Sequence, residues 1–554
     1  MPNSKTSFSG KVWKILSDGK NEDLIQNLLK VRGASRDFFD LKIADFAGIA
    51  DLEGAEKLLA KIQEKIAKKE RILIFGDYDV DGITSTTIWF LVLSFLGAEV
   101  SARLPHRVEH GYGLKKEVFD ECVKHDAKLL IATDCGISNK EEIAYGNDLG
   151  IETVVADHHT CPAELPEAIA IVDPKKHKKN NCTQDLVAAG LAYVLGSELL
   201  KSCPDISEKE NLLDQILTLA CLGTIADCAP LIGLNRAIVK EGLEAIRRNP
   251  HVSFEALALV SDIDLKTITS EQIGFGLAPR LNAAGRLDNP HLAFDLLRGK
   301  TVNAQKMEKL NQERRAMMRE SIQEAEKMLA TKAVAPLIFL YKKDWHPGVI
   351  GLIAGRIAEN TNLPTFIMCA KENGEIVGSA RTPKTFHAAK MLQNNKKLLT
   401  HFGGHSEAAG FSLLPENLSK LENNLLKSAE EIFCDGLPVP ILEIDTILSQ
   451  DNFSKKIWDE VERLEPFGVG NQKPIFLLEK ADIRKIETVG SEKKHLKLKI
   501  KIGMGDFSVI AWGWGGQADK ITPDEKYDLA VRLFKNVWNG RTMCEMEMLD
   551  MRKS

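Results

Sequence analysis

The sequence has no apolar run that approaches the roughly 18–20 residues of a membrane span. We expect no secretory signal either, because the first ten residues are polar and the apolar stretch that follows is short. The ten cysteines form no Cys-x-x-Cys pair, so neither a disulfide framework nor a structural zinc site is indicated. We therefore expect a cytoplasmic protein that has no membrane segment.

A strong excess of charge of one sign is also missing. The formal net charge is −5 over 554 residues, which is too small to indicate a polyanionic partner. If the protein binds a nucleic acid, the contact must be a local basic patch. With 44% hydrophobic and 27% charged residues the chain has the composition of a globular protein, and about 150 residues per domain predicts three or four domains.

Short apolar runs alternate with helical patterns after residue 70. Strands are predicted near 71–76, 99–104, 128–133 and 151–156, with helices near 82–96, 114–124 and 140–149 between them. Strands and helices that alternate at this spacing predict βαβ units and a parallel sheet. The fold class is therefore α/β.

The rest of the chain divides by pattern. Residues 12–70 are predicted to be helical, and residues 301–333 contain no glycine or proline, which predicts one helix of about 50 Å. We interpret this helix as a connector, and a surface helix of the preceding domain is the alternative. A smaller α/β block and a segment of short strands follow. The predicted parts are 1–70, 71–300, 301–334, 335–436 and 437–554.

Acidic residues follow three of the predicted strands. Asp77, Asp79 and Asp81 follow the first strand, Asp134 follows another, and Asp157 precedes His158 and His159. Strands that run in one direction deliver all of these side chains to one rim of the sheet. A further acid, Asp227, follows an apolar helix.

Carboxylates crowded at one rim repel one another and raise each other's pKa unless a cation is present. Asp77, Asp79 and Asp81 alternate, so an extended segment would point them the same way. A lone aspartate after a strand is usually a helix cap or a turn residue, but three such strands with a histidine pair favour a metal site. Mixed carboxylate and imidazole ligands suit Mn²⁺ best, with Mg²⁺ as the alternative, and a shared carboxylate allows two ions.

At these residues the chain resembles the DHH phosphoesterase superfamily, and within it the bacterial exonucleases of single-stranded DNA. The matching segments are 76–85 (GDYDVDGITS), 133–138 (TDCGIS), 157–159 (DHH), 223–227 (GTIAD), 279–286 (PRLNAAGR), 345–351 (WHPGVIG), 379–381 (SAR), 403–411 (GGHSEAAGF) and 464–471 (LEPFGVGN). The resemblance implies a DHH catalytic domain at 71–300, a DHH-associated (DHHA1) domain at 335–436 and an OB-like β-barrel at 437–554.

The resemblance also implies residue roles. It assigns Asp79, Asp81, Asp134, His158 and Asp227 to two Mn²⁺ or Mg²⁺ ions. Asp77 and Asp157 either bind the ions directly or support the residues that do. His159 is expected to contact the scissile phosphate, and we count it with Asp134 as catalytic.

Two groups of residues are expected to bind the DNA strand. Arg107, Arg280, Ser379 and Arg381 match a 5′-phosphate pocket of the family, since the arginine fork binds phosphate in a bidentate manner. Gly403, Gly404 and His405 would allow the backbone to approach the strand, and a tight turn is the alternative. Gly348 and Gly351 either expose helix N–H groups to a phosphate or only permit close packing.

The function implied is 5′→3′ degradation of single-stranded DNA to 5′-mononucleotides in recombination and repair, by a monomer that works with a helicase and a single-strand-binding protein. One rival is a superfamily enzyme that acts on short oligoribonucleotides or cyclic dinucleotides, but such enzymes usually lack an OB-like domain. The other is a replication scaffold without activity, but such relatives have lost the aspartates that this chain keeps.

Overall fold

The computed structural model describes residues 7–554 except 20–22, 35, 47, 108–110, 177–182, 205–206, 333–334, 450–452, 503–504, 524 and 539–540. The strands are β1 (Val12–Ile15), β2 (Arg71–Phe75), β3 (Val100–Arg103), β4 (Ala127–Thr133), β5 (Glu152–Ala156), β6 (Ala170–Val172), β7 (Ile338–Tyr341), β8 (Thr365–Ala370), β9 (Ile376–Arg381), β10 (Leu399–Gly404), β11 (Ala408–Leu413), β12 (Ile441–Ile444), β13 (Thr446–Ile447), β14 (Phe476–Val489), β15 (His495–Ile502), β16 (Gly505–Ala511), β17 (Lys526–Trp538) and β18 (Arg541–Lys553).

The helices are α1 (Leu24–Val31), α2 (Ala55–Ala67), α3 (Val80–Phe95), α4 (Lys116–Lys124), α5 (Lys140–Asp148), α6 (Ala188–Leu200), α7 (Ser207–Ala226), α8 (Gly233–Arg248), α9 (Val252–Ser261), α10 (Ser270–Gln272), α11 (Ala278–Leu287), α12 (His291–Leu297), α13 (Asn303–Ala330), α14 (Ile350–Thr361), α15 (Ala388–Asn394), α16 (Leu418–Ile432) and α17 (Lys456–Glu462). A π-helical turn, Ile273–Leu277, joins α10 to α11. In the described part of the chain no helix has the length and hydrophobicity of a membrane span.

The first sheet is parallel, as predicted, with the strand order β3-β2-β4-β5-β6. Both of its faces are covered: Ile72 and Ile74 of β2 face one core, and Leu73 and Phe75 face another. Burial on both faces is why the strands are continuous apolar runs. The chain adds β3 on one side of β2 and β4, β5 and β6 on the other, and ligands of open α/β sheets bind at the point where the order of addition switches in this way.

The long helix α13 is a single helix of 28 residues, as predicted. Ala304, Met307 and Leu310 near its start are buried in the core beside the first sheet. Ala325 near its end is buried against α14 and the second sheet. That sheet has the mixed order β10-β11-β9-β8-β7, in which β7 and β8 are parallel and the other pairs antiparallel.

The C-terminal strands form a closed barrel of β14, β15, β16, β18 and β17, closed by the pairing of β14 with β17. This barrel and residues 7–41 belong to one compact unit, and residues 42–438 form the other. The prediction that 12–70 is helical is wrong at Val12–Ile15, which is a strand paired in parallel with β12. Its partner lies more than 400 residues along the chain, so no local pattern reveals it.

Candidate metal and phosphate site

The aspartates that follow β2 lie on a tight turn into α3. Asp79 is the N-cap of α3, and its carboxylate accepts a hydrogen bond of 3.1 Å from the amide of Gly82. A Cβ on Gly82 would lie 2.5 Å from the amide nitrogen of Asp77, so only glycine permits this turn. Asp81 lies in the first turn of α3. The prediction that these acids alternate on an extended segment is therefore wrong, although all three reach the rim.

Backbone amides at the start of α6 hold the carboxylate of Asp81 in place. Its two carboxylate oxygens accept hydrogen bonds of 2.8 Å from the amides of Ala188 and Ala189. These amides belong to the positive end of the α6 dipole, which favours a carboxylate. The side chain is 1% exposed, so its position is set by the fold rather than by solvent.

Asp134 and His158 lie at the centre of the site. Asp134 follows β4 in a left-handed conformation (φ 61°), and its Oδ1 is 3.1 Å from Nε2 of His158. The same Nε2 is 3.5 Å from Oδ2 of Asp81 and 3.9 Å from Oδ2 of Asp227. The rim therefore brings together acids from β2, β4 and α7, as the sequence predicted.

Three groups in this site have ligand atoms within 4.8 Å of one another. They are Asp77, Asp79 and Asp134; Asp81, His158 and Asp227; and Asp134, His158 and His159. Oδ1 of Asp77 is buried and has no hydrogen-bond partner among the described residues. An unpartnered buried carboxylate oxygen is costly unless a cation fills the space beside it. Carboxylate and imidazole donors fit Mn²⁺ and Mg²⁺.

Asp157 is absent from these groups within the described chain, because its oxygens are already engaged. Its Oδ1 accepts from the amides of His158 and His159 and from Nδ1 of His159 at 2.8 Å. Its Oδ2 accepts from the amide of Ile137 at 3.0 Å. Burial alone would raise the pKa of Asp157, but the hydrogen bond and charge of His159 hold it below its ordinary value.

The electrostatics show why the group needs cations. Burial and the neighbouring carboxylates raise the pKa of Asp77, Asp81 and Asp134 well above the ordinary value. Burial and Asp79 raise the pKa of Asp227 to about 7. Burial and His159 lower the pKa of His158 to about 3, which leaves a neutral imidazole able to bind a metal.

We expect the metal-free protein to lose stability as the pH rises from about 4 to about 7. Acids whose pKa is raised by folding stabilise the protein at low pH, and that contribution disappears as the pH passes through the folded-state value, about 7 for Asp227. Saturating Mg²⁺ should raise the melting temperature by about 5 °C, and by more at the higher pH. Differential scanning calorimetry with Mg²⁺ or EDTA measures this, and an Mg²⁺ effect that is equal at both pH values would contradict it.

Arginines gather beside the acids. Arg107 lies over the ring of Tyr78 at 4.9 Å, and Nη1 of Arg381 donates to Oγ of Ser379 at 3.2 Å. Arg286 at the end of α11 donates to the carbonyl oxygen of Gly348 at 3.0 Å. In the described chain no carboxylate forms an ion pair with these arginines, unlike most buried guanidinium groups. Burial and the charge of Arg107 lower the pKa of Arg286, to about 9, and of Arg381, so a bound anion would stabilise this group.

The structure does not bring Arg280 into this group. Nε of Arg280 donates to Oε2 of Glu308 at 2.6 Å and Nη1 to the carbonyl oxygen of Gly276, so it ties α11 to α13. Arg286 follows six residues later, about 240° around the helix, and therefore projects from a different face. Of the two arginines in the motif, Arg286 lies in the group and the predicted Arg280 does not, and the helical period is the sequence signal that separates them.

The glycines of the motif at 345–351 permit close packing, and the phosphate contact that the sequence left open stays a prediction. A Cβ on Gly348 would lie 2.4 Å from the carbonyl oxygen of Arg286, so close packing is required there. A Cβ on Gly351, in the first turn of α14, would lie 3.2 Å from Oγ of Ser379 and 3.6 Å from Nη2 of Arg381. The start of α14 therefore lies directly on the arginine group.

The second domain also supplies the turn after β10, which is an edge strand. Gly403 faces open space, whereas Gly404 has φ 136° and a Cβ there would lie 2.4 Å from the carbonyl oxygen of Ala408. Burial and the positive charge of His159 lower the pKa of His405. This turn thus places His405 within electrostatic reach of the histidine pair.

Tyr112 was missed by the sequence reasoning, although Arg107 of the same loop was selected. Its hydroxyl donates to the carbonyl oxygen of Asp134 at 3.3 Å and lies 3.1 Å from Nδ1 of His159. Residues 108–110 of this loop lie outside the described residues. An aromatic hydroxyl so close to a histidine pair has no signature in sequence alone.

Comparison with known proteins gives three family matches. The models of the DHH family N-terminal domain, the DHHA1 domain and the RecJ OB domain match residues 71–224, 330–433 and 444–550. A single-stranded-DNA-specific exonuclease RecJ of Bacillus subtilis is 31% identical, over 95% of this chain and 67% of the relative. The protein of the same name from Thermus thermophilus is 33% identical, over 91% of this chain and 71% of its own length.

Solved structures of RecJ proteins also match the fold of this chain. RecJ of Thermus thermophilus in complex with Mn²⁺ matches with a TM-score of 0.82 at 29% identity, over 98% of this chain and 79% of that one. The same protein with Mg²⁺ matches with a TM-score of 0.75. An exonuclease RecJ bound to manganese is 32% identical, with a TM-score of 0.60 over 70% of this chain. The predicted succession of DHH domain, DHHA1 domain and OB-like barrel is confirmed.

Proposed function

We propose, because the chain belongs to the RecJ exonuclease family, that it degrades single-stranded DNA in the 5′→3′ direction and releases 5′-mononucleotides. Family membership establishes a metal-dependent nuclease that hydrolyses phosphodiester bonds. The observation that carries the proposal is the position of the arginine group. Arg286 and Arg107 adjoin the loop that holds Asp77 and Asp79, so a terminal phosphate would be bound a short distance from the bond that is cut.

The ion ligands proposed are Asp77, Asp79, Asp81, Asp134, His158 and Asp227. When bound, two divalent ions would lower the pKa of a water molecule and neutralise charge that develops on the phosphate. The protein holds these ligands rigidly, because the amides of α6 fix Asp81 and the left-handed backbone fixes Asp134.

We assign the contact with the scissile phosphate to His159. Burial lowers the pKa of His159, but the hydrogen bond and charge of Asp157 outweigh it and raise the value to about 9. The imidazole is therefore charged at neutral pH and can neutralise a phosphate oxygen. Asp157 holds Nδ1, which leaves Nε2 to face the substrate.

The different roles proposed for Asp77 and Asp157 can be separated by matched Asp→Asn substitutions. Asp157→Asn should lower kcat about 10- to 100-fold with little change in Mn²⁺ affinity, because it loosens His159 and removes no ligand. Asp77→Asn should weaken Mn²⁺ binding itself. Isothermal titration with Mn²⁺ beside steady-state kinetics measures both, and equal loss of Mn²⁺ affinity in the two variants would refute the assignment.

The C-terminal barrel supports a single-stranded substrate. Along β15 the apolar residues Leu496, Leu498 and Ile500 are fully buried, and lysines alternate with them on the outer face. Trp512 is 57% exposed beside His495, whereas Phe507 lies in the core. A basic strand with an exposed aromatic suits the way in which OB folds hold single strands.

The function is tested with single strands labelled at either end, in Mn²⁺, Mg²⁺ or EDTA. We expect mononucleotides from the 5′ end, with activity lost in EDTA. Faster cleavage of a dinucleotide than of a long 5′-phosphorylated strand would favour the oligonucleotide rival, and no cleavage in any metal would favour a scaffold. Roles in recombination and repair, with a helicase and a single-strand-binding protein as partners of a monomer, belong to the same proposal.

A further inference from the structure

An apolar surface lies on the first domain, formed by α9 and the π-helical turn before α11. Leu259 and Phe275 are each 84% exposed, and Val252 is 46% exposed. Val252 and Leu259 are seven residues apart, so they lie on one face of α9. We call these three side chains the Leu259 face. Exposed leucine and phenylalanine side chains that cluster on a protein surface usually mark a binding site.

The two most exposed residues project from segments that are tied together. The guanidinium of Arg280 donates to the carbonyl oxygen of Gly276 at 2.6 Å and reaches that of Val260 at 3.5 Å. Phe275 and Leu259 are the residues immediately before these two. The bridge to Glu308 holds Arg280 in place, so the spacing of the two apolar side chains is fixed.

Close packing of the π-helical turn prevents the side chain of Phe275 from turning toward the core. A Cβ on Gly274 would lie 3.4 Å from Cγ2 of Ile225, and a Cβ on Gly276 would lie 2.5 Å from Cδ1 of Ile263. The backbone on both sides of Phe275 is therefore pressed against the core, and Ile273 and Leu277 are fully buried. Turns of π-helix are frequent at functional sites. The packing of the neighbouring backbone therefore holds the side chain of Phe275 toward the solvent.

The charge around the face selects the partner. Residues 252–277 contain four acidic side chains and one basic side chain, all exposed: Glu255, Asp262, Asp264, Glu271 and Lys266. An acidic rim repels the phosphates of DNA. It also opposes a two-fold contact with a second copy, which would place the same charges against each other. A cationic partner with bulky apolar side chains is complementary to it.

We propose that the Leu259 face is a docking site for a basic amphipathic helix of another protein. The apolar side of that helix would cover Leu259 and Phe275, and its lysines or arginines would meet the acidic rim. Such a helix presents apolar residues at i, i+3, i+4 and i+7, a pattern that recurs in helix-in-groove recognition. The proposal does not depend on the nuclease function.

The test uses the whole 554-residue chain with saturating Mg²⁺, so that the carboxylates at the edge of the first sheet are occupied by ions and do not bind the probe. The probe is a fluorescent leucine–lysine peptide patterned as an amphipathic helix, and the control peptides are its scrambled form and its leucine–glutamate counterpart. We expect anisotropy to show micromolar binding of the first peptide only. Hydrogen exchange should then slow in residues 252–277.

Variants locate the contact. Leu259→Ser with Phe275→Ser should weaken peptide binding at least tenfold, and Glu255→Gln with Asp262→Asn should also weaken it. Val123→Ser, which alters an apolar residue of α4 that is 52% exposed, is the matched control and should leave binding unchanged. Nuclease activity, retained in every variant, reports that each one is folded.

Three outcomes would overturn the proposal. The first is equal binding of the glutamate peptide or of the scrambled peptide. The second is weaker binding of single-stranded DNA in the Leu259→Ser, Phe275→Ser variant, which would make the face a DNA contact. The third is a dimer in sedimentation experiments that the same variant dissociates, which would make the occupant a second copy.

Discussion

Asp134→Asn should lower the rate of DNA hydrolysis about 10³-fold, because Asp134 belongs to two of the three groups that could hold an ion. Asparagine keeps the shape of the side chain and accepts the left-handed backbone at φ 61°, so only the charge is lost. The same change should hold or raise the melting temperature of the metal-free protein, because burial and four neighbouring carboxylates raise the pKa of Asp134. The stabilisation by Mg²⁺ should shrink.

The chain offers a matched control at the other end of the same strand. Asp126 immediately precedes β4, is also left-handed (φ 55°), and forms an exposed ion pair with Lys128. Asp126→Asn should leave activity and the Mg²⁺ effect unchanged. Single-turnover cleavage and calorimetry, with and without Mg²⁺, measure both quantities. An Asp134→Asn enzyme that retains more than a tenth of the activity would exclude Asp134 from ion binding.

Arg286→Met should remove most of the preference for a 5′-phosphorylated end. A hydrogen bond between charged groups contributes about 1.5–3 kcal/mol, so KM for a 5′-phosphorylated strand should rise about 10- to 100-fold. KM for a strand with a 5′-hydroxyl should not change. The melting temperature should not fall, since one of several repelling arginines is removed. Arg286→Lys should restore part of the preference, because it keeps the charge and loses the fork.

Arg280→Met, in the same helix and the same motif, should have the opposite effects. It leaves Glu308 with only the hydrogen bond from Gln312, and loss of a hydrogen bond between charged groups costs about 1.5–3 kcal/mol, so the melting temperature should fall. The ratio of KM values for phosphorylated and unphosphorylated ends should stay as in the parent protein. A selectivity change that follows Arg280 rather than Arg286 would refute the pocket as we describe it.

The sequence predicts which acids gather at the edge of the first sheet, because short local patterns determine where the strands end. Asp77, Asp134 and Asp157 closely follow strands, and parallel strands must end at one rim, so Asp134 and the residues near Asp157 are placed without knowledge of side-chain packing. The sequence could not predict that the carboxylate oxygens of Asp157 are engaged in hydrogen bonds whereas Oδ1 of Asp77 is not. This difference depends on which oxygens are occupied by amides such as that of Ile137, and this follows from the packing of two loops.

The sequence fails where distant segments meet. The pairing of Val12–Ile15 with Ile441–Ile444 joins the two ends of the chain and leaves no periodic signal. Arg280 and Arg286 have the same chemistry, and only the helix that carries them decides which one lies beside Arg107. The hydroxyl of Tyr112 reaches His159 from a different loop, so neither segment indicates the contact.

Helix α11 also touches the loop that carries the acids. A Cβ on Gly285 would lie 2.4 Å from the carbonyl oxygen of Tyr78, between Asp77 and Asp79, and Arg286 is the next residue. Arg286, which we propose to bind the end of the strand, and the proposed ion ligands Asp77 and Asp79 are thus carried by backbone segments that pack directly on each other. The distance that the enzyme advances along DNA between successive cuts would then be set by the fold and would be the same at every nucleotide. A bulkier residue at 285 should push the two segments apart, so that the length of each advance varies and dinucleotides appear among the products.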